Sequence, residues 1–415
     1  MTASPGTTPA VDPAAPLALD SAAAAIASIR RAAVADRYAA GALNVEWRRL
    51  SALAAIADDW RALVDRALEP NVFYEPAFAL PAAEVFGGDT GALLVWSGTS
   101  PRQLLGFFPA RVEPRRYRFK LPVLTGWTHP FAPLGTPIVE RETADAVIAA
   151  WLAHLADDAN LPGLMLLPFL PVDGPFATAL DAILRRAQMP CADLKRHQRA
   201  LLVPGDDRLF YIEQSLGQHR HKELRRGVRR LGDLGALLFT SATETVDVDA
   251  AIADFFRLER RGWKGRAGTA ANQHDAVCRF IAAAASALAA QGKVMVDRML
   301  LDGRAIAATI TLRSGDTAWF WKIVYDETYA RHSPGVILTY AMTEELVDDL
   351  SVIRTDSCAA PNHLMIDRVW RERLPLADRL IAVRPQAPFA MARRLEGLRN
   401  AAIDTAKAIR DRVRR

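Results

Sequence analysis

The sequence of residues 319–340 is WFWKIVYDETYARHSPGVILTY. Its first seven residues are aromatic or β-branched apart from one lysine, which is the composition of a strand packed on both faces. Ser333, Pro334 and Gly335 then precede apolar residues at helical spacing from Val336 to Leu350, with serine suited to the N-cap and proline to the first helical position. A helix whose first turn is this small leaves backbone N–H groups open to a phosphate. An ordinary strand–loop–helix joint explains the segment equally well.

Length and composition limit the domain count and the class of protein. Its 415 residues predict two or three domains, and a hydrophobic share of 51% is enough for sizeable cores. A run of about 18 uncharged apolar residues, which a transmembrane helix needs, does not occur. The N-terminus lacks the pattern of a secretory signal, and three scattered cysteines fit neither a disulfide framework nor a zinc cluster. We therefore expect a cytoplasmic protein.

The positive charge is concentrated in the tail. Residues 391–415 hold eight basic and three acidic residues, a difference equal to the net charge of +5 of the whole chain. Polyanion binding by the entire protein does not follow from such a distribution. The tail places apolar residues on one stripe among its arginines, which predicts a basic amphipathic helix. This helix could lie on the inner face of an anionic membrane or dock a partner, and packing on its own domain is the alternative.

Four segments divide the chain. Residues 1–43 are predicted to be a disordered lead followed by an Ala-rich helix, and residues 44–205 a mixed succession of strands and helices. A similar succession recurs over 206–385, and 386–415 form the basic helix. This order predicts an α/β fold with a mixed sheet and a duplicated unit.

The second succession of strands and helices contains a crossover from a strand to a helix. A three-stranded meander over 293–325 leads into the helix after Gly335, and the next predicted strand ends at Ser357. Another helix is predicted over Pro361–Trp370, and Arg379–Val383 is predicted to close the sheet. In the first succession, Tyr117–Leu124 is predicted to be a strand. Ligands tend to bind where a mixed sheet crosses over from strand to helix.

A long helix over 208–231 carries a run of cations. Helical spacing puts Lys222, Arg225, Arg226 and Arg229 on one side. A solvated face explains the run, and an anionic acceptor, a lipid headgroup or an RNA phosphate are the alternatives. Interleaved aromatic residues are missing, which argues against sequence-reading RNA binding. No His, Asp or Glu cluster has the spacing of metal ligands, so no metal is expected.

Several short motifs follow one another in a specific order. They are the basic run 220–230, GWKGRAGT at 262–269, LDGRAIA at 301–307, WKIVYD at 321–326 before Ser333–Gly335, and Asp356 followed by MIDRVW at 365–370. Together, over about residues 45–385, they resemble the GNAT acyltransferase superfamily. Within it the chain looks like the branch named after cellulose-biosynthesis acetyltransferases (CelD/BcsL), which is related to the FemAB-type transferases. The strict glutamine/arginine-and-glycine loop of many GNAT enzymes is absent, and residues 331–335 occupy its place.

The resemblance implies tandem GNAT-like domains and an acyl-CoA donor. The CoA pyrophosphate would then lie on backbone N–H groups of the turn that starts the helix, and two flanking side chains could add charge-assisted contacts. A solvated loop is the alternative for these two side chains. The expected cofactor-binding residues are Arg331, His332, Ser333, Pro334, Gly335 and Val336.

Acyl transfer needs a neutral amine, donors for the tetrahedral oxyanion and a proton for the leaving thiolate. His363 is the first candidate base, and a helix-cap histidine is its alternative. Asp356 could orient a base or hold the amine, or be a structural turn residue. Lys322 could stabilise an oxyanion, or be an edge-strand lysine. Tyr325 could protonate the thiolate, or be a core tyrosine.

The acceptor side is expected near the Gly-rich loop. Residues Glu259, Trp263 and Lys264 flank that loop and are the candidate acceptor contacts. We expect transfer to an amine by direct attack, without a covalent enzyme intermediate. The acceptor would be an envelope-related amine, either an amino sugar or a long-chain amine such as a sphingoid base. The alternatives are a FemAB-type transferase that uses aminoacyl-tRNA, and a non-catalytic binding module of an envelope-synthesis machine.

Overall fold

The computed structural model describes residues 43–205, 208–261 and 275–413. Within them, strands form one large mixed sheet with helices on both faces, so the predicted mixed α/β fold is confirmed. The predicted helix near residues 20–40 and the Gly-rich loop after Arg261 lie outside the described residues. The strands are β1 (Asn44–Arg49), β2 (Gly91–Trp96), β3 (Leu104–Glu113), β4 (Val123–Gly126), β5 (Ile138–Val139), β6 (Leu164–Pro171), β7 (Cys191–Leu202), β8 (Leu237–Ala242), β9 (Val294–Leu301), β10 (Arg304–Ser314), β11 (Thr317–Tyr325), β12 (Arg354–Asp356) and β13 (Glu372–Ala382).

The helices alternate with these strands, as the apolar periodicity predicts. Short 3₁₀ helices also occur, for example at Leu50–Ile56, Glu327–His332 and Ile366–Arg368. The α-helices are α1 (Ala57–Val64), α2 (Pro76–Phe86), α3 (Ala144–Asp157), α4 (Pro175–Arg186), α5 (Arg208–Gly232), α6 (Thr245–Arg261), α7 (Asp275–Ala289), α8 (Pro334–Asp348) and α9 (Phe389–Val413).

The strand order is mirrored about the centre of the sheet. It runs β1-β2-β3-β4-β6-β13-β7-β12-β11-β10-β9-β8, and β5 pairs with β3. Two neighbouring pairs are parallel, β4 with β6 and β11 with β12, and the other pairs are antiparallel. Each half thus has four antiparallel strands followed by a crossover through a helix to a parallel strand.

The two halves exchange their last strands. β7 belongs to the first half by sequence but pairs with β12, whereas β13 pairs with β6 of the first half. The exchanged strands pair with each other along most of their length. The prediction that Arg379–Val383 closes the sheet is therefore wrong, because this segment belongs to a central strand with neighbours on both sides.

Two predicted elements are also wrong. The segment Tyr117–Leu121 forms turns, with Arg118 at a φ of 68°, which a strand cannot adopt, and β4 begins only at Val123. Between Pro361 and Trp370 a single 3₁₀ turn replaces the predicted helix. Each segment buries some of its apolar residues against neighbouring elements, but Phe119 and Leu364 are exposed, so burial does not follow the period of a strand or a helix.

The C-terminal helix α9 is present as predicted, and its first turns dock on the first half. Ala392 is buried in a cluster with strand residues of β4, β6 and β13. The buried Glu396 carboxylate accepts two hydrogen bonds from Arg116, each 2.8 Å long. Packing on its own protein, the alternative considered for the tail, therefore holds for the start of this helix.

Different helices cover the two faces of the sheet near the crossover. Val294 and Val296 of β9 pack into a cluster with helices α6 and α7. Met299 and Leu301 of the same strand pack into a cluster with α5 and α8. The end of β11 lies between these two helix layers.

Candidate active site

Strands β11 and β12 diverge at the crossover. They pair only over Thr317–Trp319 and Arg354–Asp356, whereas β11 continues to Tyr325. Beyond Trp319, β11 therefore has a ladder partner on its β10 side but, among the described residues, none on its β12 side. An open strand edge presents backbone N–H and C=O groups that can pair with an extended ligand.

A cavity of about 410 Å³ lies at this divergence. Its walls come from the end of β11, the first turn of α8, the segment after β12 and the last turns of α6. The lining residues are Glu259, Ile323, Val324, Tyr325, Ala330, Ser333, Gly335, Val336, His363 and Met365. The cavity thus brings together predicted site residues that are up to about a hundred positions apart in sequence.

The start of helix α8 presents open N–H groups to the cavity. Ser333 holds the N-cap position with a φ of 52°, and its side chain makes no capping hydrogen bond. The first intrahelical bond runs from the Ile337 N–H to the Ser333 carbonyl over 3.1 Å. The N–H groups of Gly335 and Val336 precede this bond and have no intrahelical acceptor. They have the arrangement that binds an anion at a helix N-terminus.

Gly335 allows the helix to approach strand β11 closely. A Cβ at this position would lie 3.0 Å from Cδ1 of Tyr325 and 3.6 Å from Cδ1 of Ile323. Any larger residue would therefore press the helix start and the tyrosine ring apart.

Buried hydroxyl groups fix the position of α8. Thr339 donates to the Gly335 carbonyl over 2.8 Å, and Thr343 donates to the Thr339 carbonyl over 2.7 Å. The indole N–H of Trp370 donates to the Thr343 hydroxyl over 3.0 Å. Trp370, a core residue in this arrangement, thereby ties the segment after β12 to the helix that opens onto the cavity.

Arg331 and His332 lie next to the cavity but not among its lining residues. The Arg331 Nε–H donates to Nε2 of His332 over 3.0 Å, and the Arg331 side chain is exposed. Pro334 is buried as the first residue of α8. The two cationic or ionisable side chains are thus held at the rim, one beside the other.

Glu259 contributes a buried carboxylate to the opposite wall. The residue is only 4% exposed, and its Oε2 atom has no hydrogen-bond partner among the described residues. A buried carboxylate oxygen without a hydrogen-bond partner is costly, and a ligand cation at this place would compensate the cost. The other predicted acceptor contacts, Trp263 and Lys264, lie outside the described residues.

His363 and Tyr325 reach the cavity from two different elements. Nδ1 of His363 accepts the N–H of Ile366, the first residue of the following 3₁₀ turn, over 3.4 Å. A neutral imidazole that accepts at Nδ1 carries its proton on Nε2. Tyr325 is 37% exposed, and no hydrogen bond to its hydroxyl is found within the described ranges.

Asp356 and Lys322 lie away from the cavity lining. One Asp356 carboxylate oxygen pairs with the buried Arg199 guanidinium, and the other accepts the Cys358 N–H over 2.9 Å. The Lys322 ammonium lies 4.2 Å from the centre of the Phe131 ring, a cation–π contact. The structure therefore brings His363 and Tyr325 to the cavity, and gives Asp356 and Lys322 partners elsewhere.

Sequence reasoning missed several lining residues. Ile323 and Val324 lie in the predicted strand over 319–325, but neighbouring strand residues point to opposite faces. Both reach the cavity because the strand ends between the two helix layers. Met365 was recognised only as part of a motif, although its sulfur lies 3.9 Å from the Thr339 hydroxyl. The residue types alone give no signal for these contacts.

The described residues contain neither a metal-binding cluster nor a membrane-spanning helix. No group of three or more histidine, cysteine, aspartate or glutamate side chains in these ranges could hold a metal ion. Among the helices described, none combines the length and apolar character needed to cross a membrane.

Comparisons with known proteins agree with this geometry. Residues 218–360 match the family model described as an acetyltransferase (GNAT) domain, which covers most of the cavity lining and ends before His363. No curated protein sequence matches the chain. The match confirms the predicted acyltransferase class and supports similarity to the GNAT superfamily.

Several solved structures are similar to this chain at low sequence identity. FemX is 8% identical, with a TM-score of 0.53 over 79% of this chain and 95% of its own. The C-terminal domain of a protein described as a lysylphosphatidylglycerol synthetase, from Agrobacterium fabrum, is 12% identical, with a TM-score of 0.50 over 84% of this chain and 96% of that one. A tandem GNAT protein from the clavulanic acid biosynthesis pathway has a TM-score of 0.41 at 13% identity, over 83% of this chain and 100% of its own.

Proposed function

We propose that this chain is an acyl-CoA-dependent N-acyltransferase that moves an acyl group to an amine by direct attack. The observation that carries the proposal is the cavity at the divergence of β11 and β12. One wall offers open N–H groups to an anion, and the other offers a cation a carboxylate oxygen that has no hydrogen-bond partner among the described residues. These are the complementary groups for a phosphorylated donor and an amine acceptor.

The donor fits the wall formed by α8 and β11. The pyrophosphate of CoA would accept hydrogen bonds from the N–H groups of Gly335 and Val336, in the turn that begins at Ser333. Arg331 and His332 at the rim would add charge-assisted contacts. The pantetheine arm carries two amide groups, which can pair with the open edge of β11 on the way to the reacting thioester.

The acceptor fits the wall formed by α6. An amine reaches the cavity largely as an ammonium ion, and the Glu259 carboxylate would pair with that charge. The same carboxylate would accept a proton from the amine nitrogen, which leaves a lone pair for attack on the thioester carbonyl. In this proposal Glu259 takes the base role that the sequence suggested for His363, because Oε2 is an open acceptor whereas Nδ1 of His363 is occupied.

His363 is then a hydrogen-bond donor in the second half of the reaction. The new C–N bond forms a tetrahedral oxyanion, which collapses as the C–S bond breaks and releases the CoA thiolate. The Nε2–H of His363 would donate a hydrogen bond to that thiolate, which takes up the second proton of the attacking nitrogen, directly or through the Tyr325 hydroxyl. The proton taken by Glu259 returns to solvent as product leaves.

The cysteines support direct attack. Burial raises the pKa of each of the three thiols, Cys191, Cys278 and Cys358, above the ordinary value. The nucleophilic form of cysteine is the thiolate, which such surroundings disfavour. None of these residues lines the cavity, so the amine itself is the best placed nucleophile.

The acceptor we favour is an envelope-related amine, an amino sugar or a long-chain amine such as a sphingoid base. This assignment rests on the resemblance to the CelD/BcsL-like branch. The second candidate function is FemAB-type aminoacyl transfer from aminoacyl-tRNA, which the structural similarity to FemX favours. Both functions use the same chemistry at the cavity and differ in the donor.

Calorimetric titration of the full chain separates the donors. Acetyl-CoA and a long-chain acyl-CoA are titrated in turn, with tRNA in a third experiment at two salt concentrations. Binding of either thioester supports the proposal, and comparison of the two reports the preferred acyl length. Failure of both thioesters to bind contradicts it, and tRNA binding that weakens steeply with salt would promote the aminoacyl-tRNA alternative.

A further inference from the structure

Helix α5 presents a dense basic face to solvent. The cations of this helix that the structure describes as exposed fall within residues 222–230, which contain one acid, Glu223, and none of these cations has an ion-pair partner among the described residues. Cations without partners gain more from an external anion than cations already paired. These residues are Lys222, Arg225, Arg226, Arg229 and Arg230.

An apolar rim continues this basic face. Leu234, two residues after the end of α5, is 46% exposed, and Phe239 of β8 is 37% exposed. β8 is the outermost strand of the sheet, and Phe239 pairs directly with Met299, which packs with Leu231 of α5. Phe239 therefore lies on the same face of the sheet as α5, at the outer edge.

The same helix crosses the segment that leads into the cavity. A Cβ on Gly227 would lie 3.0 Å from Cδ1 of Ile337 and 3.5 Å from the His332 carbonyl oxygen. The glycine thus permits contact between the middle of the basic run and the start of α8. The basic face and the candidate active site are neighbours on the molecule.

We propose that the basic face of α5 and its apolar rim form a docking surface for an anionic lipid bilayer. Clustered cations are attracted to a negative membrane surface, and exposed leucine and phenylalanine side chains insert at its boundary. A nucleic acid would use the cations but gain little from the apolar rim. The proposal is independent of the donor and of the chemistry at the cavity.

Vesicle co-sedimentation tests the docking surface. The full chain is mixed with phosphatidylcholine vesicles, or with vesicles that also contain phosphatidylglycerol, at low and physiological salt. We expect binding to the anionic vesicles only, weakened by salt. The double variant Arg225→Glu/Arg229→Glu should lower the partition coefficient at least about tenfold. The double variant Leu234→Ser/Phe239→Ser should lower it severalfold at either salt concentration.

Matched controls make the result specific. Arg393→Glu/Arg394→Glu changes the net charge by the same amount on exposed residues of α9. Val246→Ser removes an 81% exposed apolar side chain from α6, on the other face of the sheet. Both controls should bind vesicles like the native chain. Equal losses in the control variants, or no binding of the native chain to anionic vesicles, would overturn the proposal. So would loss of RNA binding, with vesicle binding intact, in the α5 variant.

Discussion

Replacement of Gly335 by alanine tests the phosphate cradle at its tightest point. We expect the variant to bind CoA about tenfold more weakly than the native chain, with no loss of folding. The perturbation is a single methyl group, placed where helix α8 approaches β11. Alanine favours helix over glycine by up to about 1 kcal/mol, so weaker binding could not be attributed to a weaker helix.

The magnitude follows from the distances. The new Cβ would lie 3.0 Å from Cδ1 of Tyr325, whereas ordinary contacts of this kind are 3.4–4 Å long. The start of α8 must therefore move by a few tenths of an ångström, or the tyrosine ring must. Hydrogen bonds to charged groups contribute about 1.5–3 kcal/mol each, and a shift of this size would weaken the two at Gly335 and Val336. A combined loss of about 1.4 kcal/mol is a tenfold change in affinity.

Calorimetry with CoA on four variants distinguishes this mechanism from others. Tyr325→Ala removes the ring that the new methyl group meets, so the double variant Gly335→Ala/Tyr325→Ala should bind like Tyr325→Ala alone. Gly397→Ala is the matched control, because a Cβ there meets no atom within 4 Å. Native affinity in Gly335→Ala, or an equal loss with and without Tyr325, would refute the reasoning.

Four further predictions concern catalysis and stability. Glu259→Gln should lower amine-dependent turnover by about 10²-fold or more, with CoA affinity unchanged in calorimetry; native turnover would exclude Glu259 as the base. His363→Ala should lower kcat with acyl-CoA by about 10²-fold, and a thioester with a more acidic leaving thiol should recover much of the loss; an equal loss with both would contradict the donor role. Asp356→Asn should lower the free energy of unfolding in urea by about 3–5 kcal/mol, because it leaves the Arg199 charge buried, and a loss below about 1 kcal/mol would count against this ion pair. Burial raises the pKa of Asp297 from 3.8 to about 6, so the folded state binds a proton more tightly than the unfolded state does. The free energy of unfolding therefore falls as pH rises between those values. Asp297→Asn should remove about 3 kcal/mol of that pH dependence, and an unchanged pH profile would contradict the prediction.

The sequence could predict the local parts of this fold. The strands from β9 to β11 and helix α8 were predicted within a few residues, because apolar periodicity and the Ser333–Gly335 punctuation are local signals. The segment 191–198 of β7 was not predicted as a strand, because its mostly polar residues are not typical of one. The exchange of β7 and β13 depends on pairing between distant segments, which no local pattern encodes.

The candidate site was predictable to the same extent. The first turn of α8 was found from its residue types, and its N–H groups do open onto a cavity. The individual side chains were harder, because aspartate, lysine and histidine carry no sign of their partners. Asp356 illustrates the point: its partner Arg199 lies on a strand that the sequence assigns to the other half of the chain.

That ion pair also explains how the cavity is kept open. β12 pairs with β11 over only three residues, too few to define where the two strands part. The end of β12 is held instead from the other side, where Arg199 of the exchanged strand β7 pairs with Asp356 and donates to the Pro133 carbonyl over 2.9 Å. The first half of the chain therefore fixes the divergence at which the second half forms its cavity. The strand exchange is in this sense part of the site, because a second half without β7 would leave Asp356 buried without its counter-charge and the edge of β12 unpaired.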